Sequence, residues 1–431
     1  MRDEIRKRIE AVRRGEIPDG YIVENHQLRL LDWKYEKIGK YLVAHDEYSN
    51  DTERYMLATS SRQGLLPQTD YYNDQRFEET TGGFHVVPEG YVTYRHMSDD
   101  DVFKFNVNDL GAPVLVSPEY PVFTTNAELN QSLLIEYLNG TNEFRSFCRA
   151  QKKGSTRTRM YFSRLGEFMM PIPPISEQQK IADILSACDR VIELKEKRVE
   201  ELKQLKKTCL AKMFPREGED VPELRFPGFT APWEQRKLGD LSDIRTGPFG
   251  STLHAEDYVE DGVPIITTEH FKAGTLQRVK MGLPQVSNDD YYRLSAYVLI
   301  RGDIVFSRVG SVDVNALITP FQEGWLFSGR VLRVRPFKDY SSSFLHVALD
   351  TDTVKNDIRS RAVGQTMPSI NTEILKVTGL RVPISLEEQE QIGEFLTRID
   401  NLITLHQREV EAEQQKKKAL MQLLLTGLVR V

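Results

Sequence analysis

The chain has 431 residues, a formal net charge of -6 and three cysteines. At about 100 to 200 residues per domain, this length predicts two to four domains. Because the chain as a whole is acidic, any nucleic-acid surface must be a local basic patch. The cysteines form no CxxC pair, the first residues lack the apolar core of a signal peptide, and no run approaches the roughly 18 apolar residues of a membrane span. We therefore expect a multidomain protein of the reducing cytoplasm.

The first 170 residues are expected to form a mixed α/β domain that begins with a short charged helix. Residues 1–16 alternate in charge, and Gly15 and Pro18 close the helix. The segments HVVPEGYVTYRHM and APVLVSP are typical of short strands, and an amphipathic helix is predicted near residues 130–151. Arg95 stands at the end of one strand, where an arginine either contacts DNA or forms a surface ion pair.

A basic stretch lies between Thr141 and Leu165. It holds seven cations against one acid, Glu143, which gives a local charge of +6. Such cations neutralise phosphates, and arginines in loops also bind guanine O6 and N7; the alternative is a solvated helix face. The cations predicted to bind DNA are Arg149, Lys152, Lys153, Arg157 and Arg159, and Arg145 and Arg164 complete the stretch.

Two loops that begin with glycine occupy corresponding places in the two halves of the chain. In the first half, GSTRTRM presents Ser155 and Thr156, and in the second half GQTMPSIN presents Gln365 and Thr366. Short polar side chains and backbone N–H groups in such loops can hold phosphate oxygens. They can equally cap a turn, and the sequence leaves both possibilities open.

A long helix is predicted from Glu177 to Met213, because this segment lacks Gly and Pro and is rich in strong helix formers. Its apolar residues repeat in a heptad, which is typical of a helix that pairs with another. Lys195 and Lys206 interrupt this seam. Cys188 and Cys209 lie on it, where a small buried apolar side chain is favoured over a reactive thiol.

A linker rich in Pro, Gly and charge at residues 215–232 is followed by a second domain at residues 233–381. The segments GVPIITTEHF, SAYVLIRGDIVFSRVG and GRVLRVRPF are typical of strands, and a helix is predicted at residues 342–362. The candidate DNA-binding residues of this half are Ser251 in the TGPFGSTL loop, Arg308 at a strand end, and Arg361, with Lys355 and Arg359 on the same helix.

The long helix recurs 211 residues later, from Glu388 to Leu424, without a gap. A weaker repeat joins WKYEKIG at Trp33 to WEQRKLG at Trp233. Together the repeats indicate a duplicated unit in the order domain, helix, domain, helix. Residues of the second helix that repeat those of the first include Ile392, Leu396, Asp400, Ile403, Leu405, Val410, Glu411, Gln415, Lys417 and Lys418.

We predict an α/β multidomain fold of mixed α+β character, with two globular domains separated by two long antiparallel coiled-coil helices in a pseudo-two-fold internal repeat. The divisions are residues 1–170, 171–214, 215–232, 233–381 and 382–431. At about 1.5 Å per residue, each helix would be about 55 Å long, and an antiparallel pair would place the domains at opposite ends. Such a frame suits a duplex target in two parts, and two halves that diverge would give an asymmetric target.

The helices carry two predicted surfaces. The residues expected to form the mutual seam are Leu185, Ile192, Val199, Leu202, Leu396, Ile403 and Val410. Apolar residues outside the seam predict either another helical partner or packing against the chain's own domains. These outer residues are Ile184, Val191, Leu205, Phe395, Leu402 and Leu423.

The chain resembles the specificity subunit of a type I restriction-modification enzyme over essentially its whole length. The resemblance is carried by GEIPDGY with DWKYEKIG, PELRFPGFTAPWEQRKLGDL, GPFGSTL, RGDIVFSR, the strand ends PIPPISEQQ and VPISLEEQ, and KKALMQLLLTGLVR. It implies two target recognition domains, each of which reads one half of a split double-stranded DNA sequence. It also implies that the helices act as a ruler and dock two methyltransferase subunits, which work with restriction subunits.

We expect no catalysis from this chain alone. It has no NPP(Y/F) or DPPY tetrad, no GxGxxG and no P-loop, and its eight histidines show no metal-ligand spacing. We therefore expect no metal or cofactor here, and the resemblance implies that partner subunits use S-adenosylmethionine, ATP and magnesium. The alternatives are a coiled-coil scaffold, which would not explain the duplicated domains, and a stand-alone DNA-binding regulator, which would usually gain its two-fold symmetry by dimerising.

Overall fold

The structure is a computed structural model that describes residues 2–24, 27–71, 83–152, 157–248, 252–271 and 274–431. The chain divides into two compact units, which we call unit 1 and unit 2. Unit 1 comprises Met1–Lys195 and Glu409–Val431, and unit 2 comprises Glu196–Arg408. Each long helix therefore contributes one part to each unit. Within the described residues, none of the helices combines the length and the apolar character needed to cross a membrane.

The described residues of unit 1 form a four-stranded antiparallel sheet, a five-stranded mixed sheet and three two-stranded ribbons. Its elements are α1 (Arg2–Arg13), β1 (Tyr21–Glu24), β2 (Gln27–Leu30), β3 (Lys34–Lys37), β4 (Leu42–Ala44), β5 (Tyr48–Ser49), β6 (Met56–Ser61), β7 (Gly64–Pro67), α2 (Gln68–Tyr71), β8 (Phe84–Val87), β9 (Val92–Tyr94), β10 (Met97–Ser98), β11 (Phe105–Val107), β12 (Val114–Val116), β13 (Val122–Thr125), α3 (Gln131–Gly140), α4 (Asn142–Ala150), β14 (Thr158–Arg159), α5 (Phe162–Leu165), β15 (Met169–Ile172) and the start of α6 (Ile175–Met213). The sheet orders are β11-β9-β13-β4 and β5-β8-β12-β6-β7.

Unit 2 has a similar plan, with two four-stranded sheets and one ribbon in the part of it that the structure describes. Its elements are β16 (Glu234–Lys237), α7 (Leu238–Leu241), β17 (Ser242–Thr246), β18 (Tyr258–Val259), β19 (Val263–Ile266), β20 (Gln285–Val286), α8 (Asn288–Arg293), β21 (Ile304–Ser307), β22 (Asn315–Leu317), β23 (Leu326–Phe327), β24 (Val331–Pro336), α9 (Ser342–Ala348), α10 (Asp352–Arg361), α11 (Thr372–Val377), β25 (Gly379–Val382) and the start of α12 (Leu386–Leu425). The sheet orders are β17-β24-β21-β22 and β18-β20-β19-β23.

The main core of each unit includes residues of both long helices. In unit 1, Leu185 of α6 and Leu424 of α12 share one cluster with Phe123. In unit 2, Met213 of α6 and Leu396 of α12 share another, which takes up Cys209 as a buried side chain. Burial of apolar side chains is the dominant favourable term in folding, so both helices help to hold each unit together.

In each copy of the duplicated domain, the opening strand pairs with the closing strand to form a two-stranded ribbon. β3 pairs antiparallel with β15, and β16 pairs in the same way with β25. The first and last strands of each copy are thus neighbours, and the last strand leads directly into a long helix. This pairing explains why the WKYEKIG and WEQRKLG repeats stand at the openings of the two copies.

A buried carboxylate in the first turns of each long helix ties it to the ribbon in front of it. Trp33 donates a hydrogen bond from Nε1 to Glu177 at 3.2 Å, and Trp233 donates to Glu388 at 3.3 Å. Each carboxylate also receives two hydrogen bonds from one arginine, which is Arg430 for Glu177. For Glu388 the arginine is Arg225, which lies in the segment after α6. The duplication therefore extends to individual polar contacts.

Both helices predicted before the glycine loops are broken by a threonine. The predicted helix at residues 130–151 is in fact α3 and α4, and Thr141 between them is extended, with ψ 146°. The predicted helix at residues 342–362 is α9 and α10, with Thr351 extended at ψ 145°. Each threonine donates its hydroxyl hydrogen to a carbonyl of the preceding helix, Tyr137 or Ala348 respectively, at 2.7 Å. Threonine competes with the backbone in this way, and the first break also directly follows Gly140, a poor helix former.

The long helices run antiparallel to each other where they meet within a unit. In unit 1, Asp189 lies 2.6 Å from Lys417, whereas the later Lys195 lies 2.8 Å from the earlier Glu409. The residue numbers rise along one helix as they fall along the other. The predicted long helices are thus confirmed, with lengths of 39 and 40 residues.

The segments after α1 and after α12 meet in unit 1. The Tyr21 hydroxyl donates a hydrogen bond to the carbonyl of Gly427. Arg8 on α1 donates to the carbonyl of Leu428 at 3.4 Å. Leu30 and Leu428 are both buried in the main cluster of unit 1. The β1–β2 ribbon therefore packs on the end of α12.

Candidate nucleic-acid interface

In unit 1, an arginine at the end of a core strand lies beside the segment that follows α4. The chain leaves β9, passes through Arg95 and His96, and forms β10. β10 pairs with β14, which places Met97 opposite Arg159. The carbonyl of His96 accepts a hydrogen bond from the N–H of Met160 at 2.8 Å. Strand pairing therefore brings Arg95 and Arg159, both exposed, to one edge of the unit.

The basic stretch is partly neutralised by acids that follow β10. Arg157 Nε lies 2.7 Å from Asp99 Oδ1, and Lys152 Nζ lies 3.8 Å from Asp101 Oδ1. Thr158 also donates a hydrogen bond to Asp101. The charge of +6 counted along the sequence overstates the positive charge of this surface, because the pairing of β10 with β14 places carboxylates opposite the cations.

An aromatic pair lies at the same edge. His96 is only 6% exposed, and its ring stacks on Tyr161 with the ring centroids 5.9 Å apart. Burial lowers the pKa of His96; Glu119 opposes this effect, and Arg159 and Arg95 reinforce it. His96 is therefore neutral near pH 7. Tyr161 is 51% exposed, which leaves ring surface on which a nucleobase can stack.

The remaining candidates of unit 1 are spread along its helices. Arg149 is exposed in the last turn of α4, Arg145 is exposed on the same helix, and Arg164 is exposed on α5. The candidates that lie outside the described residues are Lys153, Ser155, Thr156 and, in the second half of the chain, Ser251.

In unit 2, Arg308 joins three neighbouring segments at the end of β21. Its N–H donates to the carbonyl of Arg330 at 3.1 Å, and its Nη1 donates to the carbonyl of Gly329 at 3.0 Å. Its own carbonyl accepts a hydrogen bond from the N–H of Ile370 at 2.9 Å. This last contact repeats the one that follows β9 in unit 1. Arg308 is half-buried, so it positions these segments as well as carrying charge.

The glycine loop of unit 2 is a hairpin. Val363 and Ser369 exchange two backbone hydrogen bonds, each 2.9 Å long. Gly364 adopts a φ of +102°, which favours glycine. Gln365 and Thr366 are exposed at the tip. Both predicted residues therefore lie where a ligand can reach them.

All three cations of α10 are paired with carboxylates, and Lys355 pairs with Asp350. Arg361 Nε lies 2.8 Å from Asp357 Oδ1, and Arg359 pairs with Asp313. Arg330 is exposed on the turn before β24 and has no ion pair within the described part of the chain. Its charge is therefore less neutralised than that of Arg361, and Arg330 was not among the predicted candidates.

The residues predicted to form the helix seam are mostly buried. Leu185 belongs to the core of unit 1, and Leu396 belongs to that of unit 2. The buried seam residues are Leu185, Val199, Leu202, Leu396 and Val410, and the half-buried ones are Ile192 and Ile403.

A lysine that interrupts the seam is held by two carboxylates in unit 2. Lys206 Nζ lies 2.7 Å from Asp350 and 2.8 Å from Asp400. Burial opposes the charge of Lys206, but the two carboxylates outweigh it and raise its pKa. Lys206 therefore joins α6 to α12 through its ion pair with Asp400, and this contact fixes how the two helices align.

The matching cluster of unit 1 has a different balance. Lys417 lies 2.6 Å from Asp189 and 2.9 Å from Glu136 on α3. Burial raises the pKa of Glu136; Lys417 opposes this effect, and Asp189 adds to it. Each unit thus has a lysine held between two carboxylates, which we call a lysine clamp. In unit 1 burial raises the pKa of Glu136, whereas in unit 2 burial of Asp350 is outweighed by Lys206 and Lys355, which lower its pKa.

The predicted outer faces of the helices are exposed in part. The exposed members are Val191, Leu205, Phe395 and Leu402, with exposed fractions from 37% to 46%. Ile184 and Leu423 do not lie on a free outer face, because both are half-buried against the core of unit 1. Leu194 and Leu405, which repeat one another, are exposed and were not predicted.

One protein-family model matches most of this chain. The model for the type I restriction modification DNA specificity domain matches residues 106–204 and 231–414. The chain belongs to this family. The matched ranges include β14, the Gly364 hairpin and most of both long helices, and therefore most of the candidate interface.

Similar proteins agree with the family. The chain is 26% identical to the type I restriction enzyme MjaVIII specificity subunit of Methanocaldococcus jannaschii, over 95% of this chain and 96% of that one. It is 28% identical to a putative MjaX specificity subunit of the same organism, over 65% and 64%. The crystal structure of a type I S subunit from M. genitalium has the same fold, with a TM-score of 0.59, 14% identity, and coverage of 91% of this chain and 96% of that one.

Residues of this interface whose placement depends on contacts between distant segments were not predicted from the sequence. The stack of His96 on Tyr161 and the exposed Arg330 have no sequence pattern of their own. A usable signal was present for Arg330, because it directly precedes the strand VLRVRP just as Arg308 directly follows IVFS, and adjacent antiparallel strands place such ends together.

Proposed function

We propose that this chain is the DNA-reading subunit of a type I restriction-modification complex, and that each unit reads one half of an asymmetric double-stranded target. The observation that supports this most strongly is the duplicated interface. In each unit, a strand end with an arginine is hydrogen-bonded to the end of the segment that follows the second domain helix. Cations that position a protein on phosphate and side chains that reach base edges are both available there.

Asymmetry follows from how the two interfaces differ. Unit 1 offers Arg95, Arg159 and the exposed ring of Tyr161, whereas unit 2 offers Arg308 and the polar hairpin tip with Gln365. Arginine suits guanine, and glutamine suits adenine. Arg95 and Arg308 occupy equivalent places, so the difference between the half-sites lies in the neighbouring side chains, which are Arg159 and Tyr161 in unit 1 and Gln365 in unit 2.

The two long helices serve, in this proposal, as the spacer and as the docking surface for two methyltransferase subunits. At about 1.5 Å per residue, α6 and α12 are each nearly 60 Å long, which exceeds one turn of duplex DNA, about 34 Å. Their exposed apolar residues suit helical partners. The chain itself is non-catalytic, and the methyltransferase and restriction subunits use S-adenosylmethionine, ATP and magnesium.

The test is to co-express the chain with a type I methyltransferase subunit and to map methylated adenines in the host DNA. We expect the two proteins to co-purify and methylation to be confined to one motif with two specified blocks around an unspecified spacer. A complex that forms but methylates a single continuous motif would contradict the bipartite proposal. A chain that binds DNA as a homodimer without the methyltransferase would favour a stand-alone regulator.

A further inference from the structure

The hairpin at residues 363–369 of unit 2 is held firmly at its base. Besides the two hydrogen bonds between Val363 and Ser369, the N–H of Gly310 donates to the carbonyl of Pro368 at 2.8 Å. Val309 forms an antiparallel bridge with Ser369. The hairpin is thus paired on both sides, and its tip needs little ordering when it binds a ligand.

The tip combines apolar and polar side chains in the open. Met367 is 67% exposed, and Val363 is 68% exposed. Gln365 and Thr366 lie between them and are also exposed. A Cβ on Gly364 would lie 2.8 Å from the carbonyl oxygen of Met367, so the tight turn requires glycine there. The fold therefore maintains a rigid projection that carries exposed apolar surface.

Cations lie at the base of the hairpin and not at its tip. Arg308 accepts the hydrogen bond from Ile370 directly after the hairpin, and Arg330 is joined to Arg308 through the backbone. Arg361 lies two residues before Val363. A duplex that meets this edge would have its phosphates near the arginines and its groove near the tip.

We propose that the tip of this hairpin enters the major groove of DNA and reads the half-site of unit 2, with Gln365 contacting a base edge and Met367 making an apolar contact with a neighbouring thymine methyl group. Glutamine binds adenine through N6 and N7 in the major groove, and the thymine methyl group is exposed to apolar side chains in the same groove. Arg330 supplies a phosphate contact. This inference rests on the proposed function and assigns the reading residues of one unit.

A protein partner is a less suitable occupant of the tip. Two exposed apolar side chains on a narrow hairpin are far from the patch of several hundred square ångströms that usually marks a protein interface. The arginines at the base match a polyanion, and the more extended apolar surfaces of the chain lie on the long helices. We therefore assign the hairpin to duplex DNA.

The test uses the full complex with its methyltransferase subunits and a library of duplexes randomised in the half-site of unit 2. We expect Gln365→Ala to reduce discrimination at one base pair by about tenfold, and Met367→Ala to weaken binding of that half-site without changing its salt dependence. Arg330→Ala should weaken all duplexes alike and reduce the slope of log K against log salt by about 1. Met281→Ala is the matched control, because Met281 is 83% exposed on another loop of unit 2.

Three results would overturn the inference while leaving the proposed function intact. The first is a wild-type complex with a bipartite target whose base preferences are unchanged by Gln365→Ala and Met367→Ala. The second is an equal shift with Met281→Ala, and the third is loss of the methyltransferase subunit from the Met367→Ala complex. A wild-type complex without any bipartite preference would instead refute the proposed function.

Discussion

Replacing Arg225 with methionine should destabilise unit 2 strongly. Arg225 Nε lies 2.7 Å from Glu388 Oε1, and Nη2 lies 2.8 Å from Oε2. The arginine side chain is 12% exposed and the carboxylate 1%. In Arg225→Met, the one side-chain donor left to the Glu388 carboxylate among the described residues is the indole N–H of Trp233, at 3.3 Å. Removing one partner of a buried ion pair costs about 3 to 5 kcal/mol, and we expect about 3 kcal/mol because methionine preserves most of the packing.

The chain offers a matched control in the repeat. Arg430 holds Glu177 with the same two hydrogen bonds, but the Arg430 side chain is 37% exposed. Glu177 is buried, but solvent reaches the partly exposed arginine and reduces the loss, so Arg430→Met should cost about 1 to 2 kcal/mol, less than Arg225→Met. The double variant Arg225→Met with Glu388→Gln should recover part of the loss, because a neutral amide is less costly to bury without its partner.

Hydrogen exchange with mass spectrometry in a urea series measures this, since it reports the free energy of opening for each unit separately. We expect protection in β16, β25 and the start of α12 to fall in Arg225→Met, while unit 1 is unchanged. A loss below about 1 kcal/mol, or a larger loss in Arg430→Met than in Arg225→Met, would refute the idea that burial makes this pair important.

Further expectations concern the lysine clamps and the outer helix faces. Because burial holds the pKa of Glu136 above its usual 4.5, unit 1 should lose stability as the pH rises through the folded-state pKa, and urea unfolding should show that Glu136→Gln removes this loss. Burial opposes ionisation of Asp350, but Lys206 and Lys355 outweigh it and lower its pKa below the usual 3.8. The stability that ionised Asp350 gives to unit 2 should therefore be lost as the pH falls below 3.8 and through the folded-state pKa, and Asp350→Asn should abolish this pH dependence in urea unfolding. Leu402→Lys should weaken capture of a methyltransferase subunit at least about tenfold in a pull-down with unchanged thermal stability, whereas Leu224→Lys, at a similarly exposed leucine, should not.

The regular parts of the fold follow from the sequence because they depend on local periodicity. The heptad and the absence of Gly and Pro predict α6 within two residues at its start, and the repeat predicts α12. The breaks at Thr141 and Thr351 were missed because threonine is tolerated within helices and because Gly140, which directly precedes Thr141, was not treated as the end of a helix. A side-chain hydrogen bond decides these breaks, and pattern analysis does not detect it.

The interface was predicted less completely, because its properties depend on pairing between distant segments. Arg95 and Arg159 are 64 positions apart in sequence, and only the β10–β14 ribbon brings them together. The same ribbon sets Asp99 opposite Arg157, which the local count of charges could not reveal. Likewise, Ile184 looks like an outer-face residue in the heptad, yet the fold of unit 1 covers it.

The most direct test of the central claim, that each unit reads its own half of the target, is an exchange of residues 34–170 for the corresponding domain of another specificity subunit. The hybrid would be co-expressed with the same methyltransferase subunit, and its methylation motif would be mapped beside that of the original chain. We expect one half of the motif to change, while the other half and the spacer length stay the same. A change in both halves at once would contradict the claim.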